Sequence, residues 1–352
     1  MRLRRPTSRE TLAGMLRPTR RLPRPPVVIE RVFDDPSLVR ALVARGGPYW
    51  SVQRYLRNLT EMAALSDAAR TEDGAMPPPE APMFVAPWFR GDFAYDEPLV
   101  EGAGEVLHHP RFVEAARRLF PGASLSPQVV YVNLNPPMPQ VDPGHTDVPC
   151  FRGVDRTRFP IWLLVMMLKS GLFDRWYVPM ATAVAWFYEG PGGGFRYWPE
   201  GPDAPPVDRP CVTNSAVVGD NDVMFHCVHQ VGPVGERVRM TKGLTLDATL
   251  RLVGDELRIE DGGKALASFP YEAVRISVSW KALVFESERA RQLYEDHTDD
   301  LTAHEVRRIF MEDLARRGVA AEPPEDLLTD TRFMNVLNGA YHYAPTVFAP
   351  RA

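Results

Sequence analysis

His145-Thr146-Asp147, followed by His229 in the run HCVHQVGPV and by Arg239 ten residues later, constrains this chain more than any other feature. In a strand, residues at i and i+2 share a face, so His145 and Asp147 both point into a barrel if their strand lines one. A third ligand then comes from a distant strand across the barrel mouth. Two imidazoles and a carboxylate fill one face of an octahedral iron(II) and leave positions open for substrates and dioxygen. The distal arginine completes the pattern. A keto acid chelating the metal keeps one free carboxylate, which a guanidinium matches with two parallel charge-assisted hydrogen bonds.

Two positions have a competitor. Histidine stands at both 226 and 229, and arginine at both 237 and 239. The histidines differ by an odd number, so in a regular strand they face opposite sides and only one is a ligand. Arg237 and Arg239 share a face, and parity does not separate them.

Strand-like segments fall at about 127–134, 144–149, 161–168, 181–188, 194–198, 215–218, 223–231 and 237–246, a pace suited to a jelly roll. The run IWLLVMML at 161–168 reads as a buried strand, far too short to span a bilayer. Helices are expected from Asp35-Pro36 to Gly46-Gly47, over about 50–70, and from His109-Pro110 to Pro121-Gly122. GAMPPPEAPMF at 74–84 is a proline-rich connection. Beyond residue 250 come a hairpin around Asp261-Gly262-Gly263, a strand at 275–285, and a helix opened by the capping box Thr302-x-x-Glu305 and closed by Gly318. The resulting division is a basic tail (1–26), an N-terminal helical region (27–125), a β core (126–250) and a C-terminal extension (251–352). That extension either covers the barrel or forms a homodimer interface.

With 45% hydrophobic residues in 352, the chain buries a large core. A net charge of -4 carries no nucleic-acid footprint. The arginine-rich start has no apolar stretch and reads as a tail, not a secretory signal. Cys150, Cys211 and Cys227, odd in number and without zinc spacing, point to a reducing, cytoplasmic setting. No membrane partner is expected.

At HTD (145–147), GGGFRYWP (192–199), GDNDVMFHCVHQV (219–231) and RMT (239–241), the sequence resembles the iron(II)/2-oxoglutarate-dependent dioxygenase superfamily. The likeness covers roughly residues 125–250. It implies a mainly β fold with flanking helices, an α+β arrangement around a double-stranded β-helix (jelly roll). It also favours His229, because Val231 and Pro233 continue the family's His-x-Val-x-Pro, and Arg239, because Thr241 completes its Arg-x-Ser/Thr. The implied cofactors are Fe(II) and 2-oxoglutarate, with ascorbate as a supporting reductant. Tyr131 and Asn133 sit where family members touch the keto acid or substrate, though Asn133 also suits a backbone contact. The implied reaction is hydroxylation of an unactivated carbon of a small metabolite, amino acid or peptide, with release of succinate and carbon dioxide. Desaturation, cyclisation and epimerisation use the same iron site. Asp147 argues against a halogenase, in which a small residue replaces the carboxylate. Two other classes fit the sequence: a cupin-like metalloenzyme without a keto acid, for which Arg237 and Arg239 are dispensable, and a non-catalytic jelly-roll binding protein.

Overall fold

The computed structural model describes residues 22–55, 85–139, 144–201, 204–233 and 244–341. Its strands are β1 (Val27–Ile29), β2 (Tyr49–Ser51), β3 (Phe89–Tyr95), β4 (Glu97–Pro98), β5 (Ser124–Asn135), β6 (Cys150–Phe151), β7 (Tyr177–Val178) and β8 (Met180–Phe187), followed by β9 (Phe195–Tyr197), β10 (Val207–Arg209), β11 (Ser215–Gly219), β12 (His226–Val228), β13 (Thr249–Val253), β14 (Glu256–Asp261), β15 (Lys264–Pro270) and β16 (Arg275–Phe285). In the large sheet β11, β8, β16 and β5 lie side by side, extended by β1 on one flank and by β3, β2, β13, β14 and β15 on the other. A small sheet runs β10-β9-β12, and His145 joins its edge by an antiparallel bridge to His226. The chain crosses between the sheets from β8 to β9, from β10 to β11 and from β11 to β12. That winding is a double-stranded β-helix, mainly β with flanking helices.

The pleat of β16 divides its residues between two environments. Ile276, Val278, Trp280, Ala282 and Val284 enter the main apolar core, which the helices Ser37–Gly46, Ala103–Leu107 and Pro110–Leu119 cover from outside. Trp280 stacks on Phe112 at 5.6 Å, and its indole N–H donates to the Leu107 carbonyl at 2.7 Å. Arg275, Ser277, Ser279 and Lys281 face the other way, into the barrel. Directly opposite residues of antiparallel strands share a face, so Asn135, Asn133, Tyr131 and Val129 on β5 and Trp186, Val184 and Thr182 on β8 face inward with them.

Several expectations are corrected. The run at 161–168 is not a strand but the start of the helix Ile161–Ser170, closed by Gly171 at φ 68°. A continuous apolar run has no periodicity to separate a buried helix from a buried strand. This helix packs with Ala303–Arg316 and Thr331–Tyr341 in a second core. In place of a helix from residue 50, β2 runs into a 3-10 turn, Val52–Tyr55; residues 56–84, with the proline-rich connection, lie outside the described residues. Residues 144–149 contribute a bridge and no longer strand. Of the expected strand at 237–246, residues 237–243 lie outside the described residues and 244–246 are not strand. The strand between β5 and β8 is instead β16, expected only in an extension. The helices at 37–46 and 110–119, the hairpin of β14 and β15, and the Thr302–Glu305 capping box form where expected. No helix among the described residues is long and apolar enough to cross a membrane.

Candidate active site

Gly144 starts the site. It has φ 139°, and a Cβ there would collide with the Phe225 ring, so only glycine lets the chain pass this close to the distal segment. His145 and His226 then exchange backbone hydrogen bonds in both directions at 2.9 Å, and Asp147 N–H donates to the Asn221 carbonyl at 2.8 Å. The short HTD segment is thereby stitched to the turn before β12 and to β12 itself.

These contacts bring His145, Asp147 and His226 together, with one ligand atom from each within 4.8 Å of the others. The third residue is therefore His226, not His229. Parity holds as expected, since the two histidines face opposite sides, but β12 turns His226 inward. His229 faces outward, where its Nε2 meets Asp208 at 2.7 Å. Arg196 pairs with the same carboxylate, and with this guanidinium as the main cause the Asp208 carboxyl is held down to about 2.

The trio suits a divalent metal. A carbonyl accepts but never donates, so the contact between His226 Nδ1 and the Met224 carbonyl at 2.9 Å fixes the proton on Nδ1 and leaves the Nε2 lone pair for a ligand. Asp147 is buried, which pushes its carboxyl up, but the Lys281 ammonium hydrogen-bonded to it prevails and holds it well below the usual range. The carboxylate is ionised, as a ligand must be.

Deeper in the barrel, Arg275 opens β16 and is 1% exposed. Its Nε donates to the Gly193 carbonyl at 2.7 Å, and its Nη1 to Ser277 Oγ at 3.2 Å and Asn135 Oδ1 at 3.5 Å. Among the described residues its Nη2 is buried with no hydrogen-bond partner, and no carboxylate pairs with it. Burial pulls its pKa down, with Cys211 and Tyr188 beside it. A buried cation without a counterion is costly, and an anion relieves that cost. The glycine run explains the close wall. Gly193 has φ 69°, and a Cβ there would come within 2.9 Å of Arg275 Cδ.

Arg237, Arg239 and Thr241, the expected cosubstrate residues, lie outside the described residues. Arg275 and Ser277 present the same Arg-x-Ser spacing on the strand that does line the barrel. Of the other two candidates, Asn133 faces inward and accepts a hydrogen bond from Trp88 Nε1 at 3.2 Å, while Tyr131 lies under the Arg90 guanidinium, 3.5 Å from its ring centre. The neighbour that reaches Arg275 is Asn135. Lys281, which no motif marked, donates from Nζ to Asp147 Oδ2 at 2.7 Å.

No protein-family model matches the sequence, and no curated protein matches it. Solved structures do. An oxidoreductase of the 2OG-Fe(II) oxygenase family from Burkholderia pseudomallei is 12% identical with a TM-score of 0.36, covering 75% of this chain and 86% of that one. A Pseudomonas putida prolyl-4-hydroxylase is 13% identical with a TM-score of 0.31, covering 75% and 94%. HygX from Streptomyces hygroscopicus, solved with nickel, 2-oxoglutarate and hygromycin B, is 11% identical with a TM-score of 0.33, covering 74% and 83%.

Proposed function

We propose that the chain is an iron(II)- and 2-oxoglutarate-dependent oxygenase that hydroxylates a carbon of a small metabolite, amino acid or peptide. One observation carries the reading. A metal-capable trio, His145, Asp147 and His226, and a buried guanidinium with an unsatisfied N–H, Arg275, belong to the interior of one barrel. A metal site alone has no use for the second feature. A dicarboxylate that chelates the metal at one end and ends in a carboxylate at the other uses both.

In this reading His145 Nε2 or Nδ1, His226 Nε2 and Asp147 hold the iron, while Arg275 and Ser277 hold the far carboxylate, with Asn135 and Gly193 keeping the guanidinium in place. Tyr131 and Asn133 line the barrel on the neighbouring strand and take the role of substrate or cosubstrate contacts. Iron(II) supplies dioxygen activation coupled to oxidative decarboxylation of the keto acid, so that one oxygen atom enters succinate and the other the product. The protein's part is to fix geometry and keep water out. The three cysteines are free thiols, which supports a reducing, cytoplasmic setting.

Anaerobic titration tests it. Fe(II) and 2-oxoglutarate added together should give a weak visible charge-transfer band, absent with either alone and absent in His145→Ala. A protein that binds Fe(II) but gives no band and no saturable 2-oxoglutarate binding is the cupin-like alternative.

A further inference from the structure

Lys281 stands at a position where a lysine is costly. It lies within β16 on the inward face, opposite Val129 on β5 and Thr182 on β8, and its side chain is 10% exposed. Burying an ammonium is unfavourable unless a partner pays it back in full, and the partner here is a carboxylate of the proposed metal trio. Nζ donates to Asp147 Oδ2 at 2.7 Å, while Asp147 Oδ1 lies 3.8 Å from His226 Nε2. The two carboxylate oxygens are thus divided, one given to the lysine and one turned toward the imidazoles.

We infer that Lys281 is a positioning residue for the metal site. By occupying Oδ2 it leaves Oδ1 as the single oxygen for the metal, keeping coordination positions open for a chelating anion. Its charge also cancels that of Asp147. The inference rests on the metal-and-keto-acid reading above. Two neutral imidazoles and a carboxylate carry one negative charge, and the ammonium brings the set to zero. A cation fixed there opposes a dication and favours a dianion, strongly so at short range and low dielectric. The site is therefore set to hold a metal and an anionic chelator together, and a metal alone less tightly than the bare trio would.

The two effects have opposite signs, and a merely structural role predicts neither. Mn(II), which is redox-inert here, replaces iron in calorimetric titrations of the full chain. Lys281→Met should bind Mn(II) alone about tenfold more tightly and 2-oxoglutarate on the Mn(II)-loaded protein about tenfold more weakly. Lys281→Arg should restore both to within about threefold of wild type. If Lys281→Met does not fold, Lys281→Gln carries the same two expectations. Unchanged affinities, or two shifts of the same sign, in a folded neutral variant overturn the inference and leave the reading of the site intact. Wild-type protein that binds no Mn(II), or binds it equally in His145→Ala, overturns that reading and this inference with it.

Discussion

His145 and His226 pair across the edge of the small sheet, each N–H donating to the other's carbonyl at 2.9 Å, with their rings 4.5 Å apart. A pair of this kind projects both side chains to one face, which selects His226 over His229. His226→Ala should weaken divalent-metal binding by more than about 100-fold, since even outer partners of a metal ligand are worth 10–100-fold. His229→Ala should bind metal within about threefold of wild type. Calorimetry with Mn(II) decides, and the reverse pattern returns the ligand to position 229.

Arg275 should govern cosubstrate affinity and leave metal affinity alone. Removing one side of a buried charge-assisted pair costs roughly 2–5 kcal/mol, so Arg275→Ala should raise the 2-oxoglutarate Kd at least about tenfold. Ser277→Ala should do the same to a smaller extent, and Arg239→Ala should change little. A large effect at Arg239 with none at Arg275 assigns the carboxylate to the other arginine.

Asp222 gives a pH signature. It is fully buried, accepts a hydrogen bond from the Tyr177 hydroxyl, and is pushed up to about 6 from 3.8, chiefly by burial. The folded state therefore keeps a proton that the unfolded chain releases. This group's contribution to stability is present below the unfolded value and lost as pH rises toward 6. Asp222→Asn in metal-free protein should match wild type in denaturant unfolding at pH 4 and be more stable at pH 7 by up to about 3 kcal/mol. A variant less stable than wild type at both pH values contradicts the burial argument.

Gly144 and Gly193 should resist substitution for separate reasons. Alanine at 144 forces a strained backbone and meets Phe225 beside His145, so Gly144→Ala should weaken metal binding. Alanine at 193 meets Arg275 Cδ and Tyr188, so Gly193→Ala should weaken 2-oxoglutarate binding and spare the metal. Each should also cost about 1–3 kcal/mol of stability. Equal effects of both variants on both ligands would contradict the separation of the two subsites.

The legible parts of this chain were local. His-x-Asp spacing, the glycine run, the capping box at Thr302 and the hairpin at Gly262-Gly263 each encode their geometry within a few residues, and all hold their places in the fold. The illegible parts depended on pairing over long distances. Nothing near His226 or His229 says which one β12 turns inward; the bridge to His145 decides it. Likewise β16 completes the barrel only after the chain has detoured through β13, β14 and β15, so Arg275 lies far along the sequence from the histidines whose barrel it shares. The helix at 161–170 was ambiguous for another reason, because a segment apolar on every side has no face for periodicity to reveal.

The most direct measurement needs no knowledge of the substrate. Oxygenases of the proposed kind slowly decarboxylate 2-oxoglutarate without a prime substrate. Purified protein with Fe(II), ascorbate and 2-oxoglutarate in air should release succinate above a His145→Ala control, and Arg275→Ala should require a higher 2-oxoglutarate concentration to do so. Absence of both succinate release and saturable 2-oxoglutarate binding, with iron shown to be bound, contradicts the central claim.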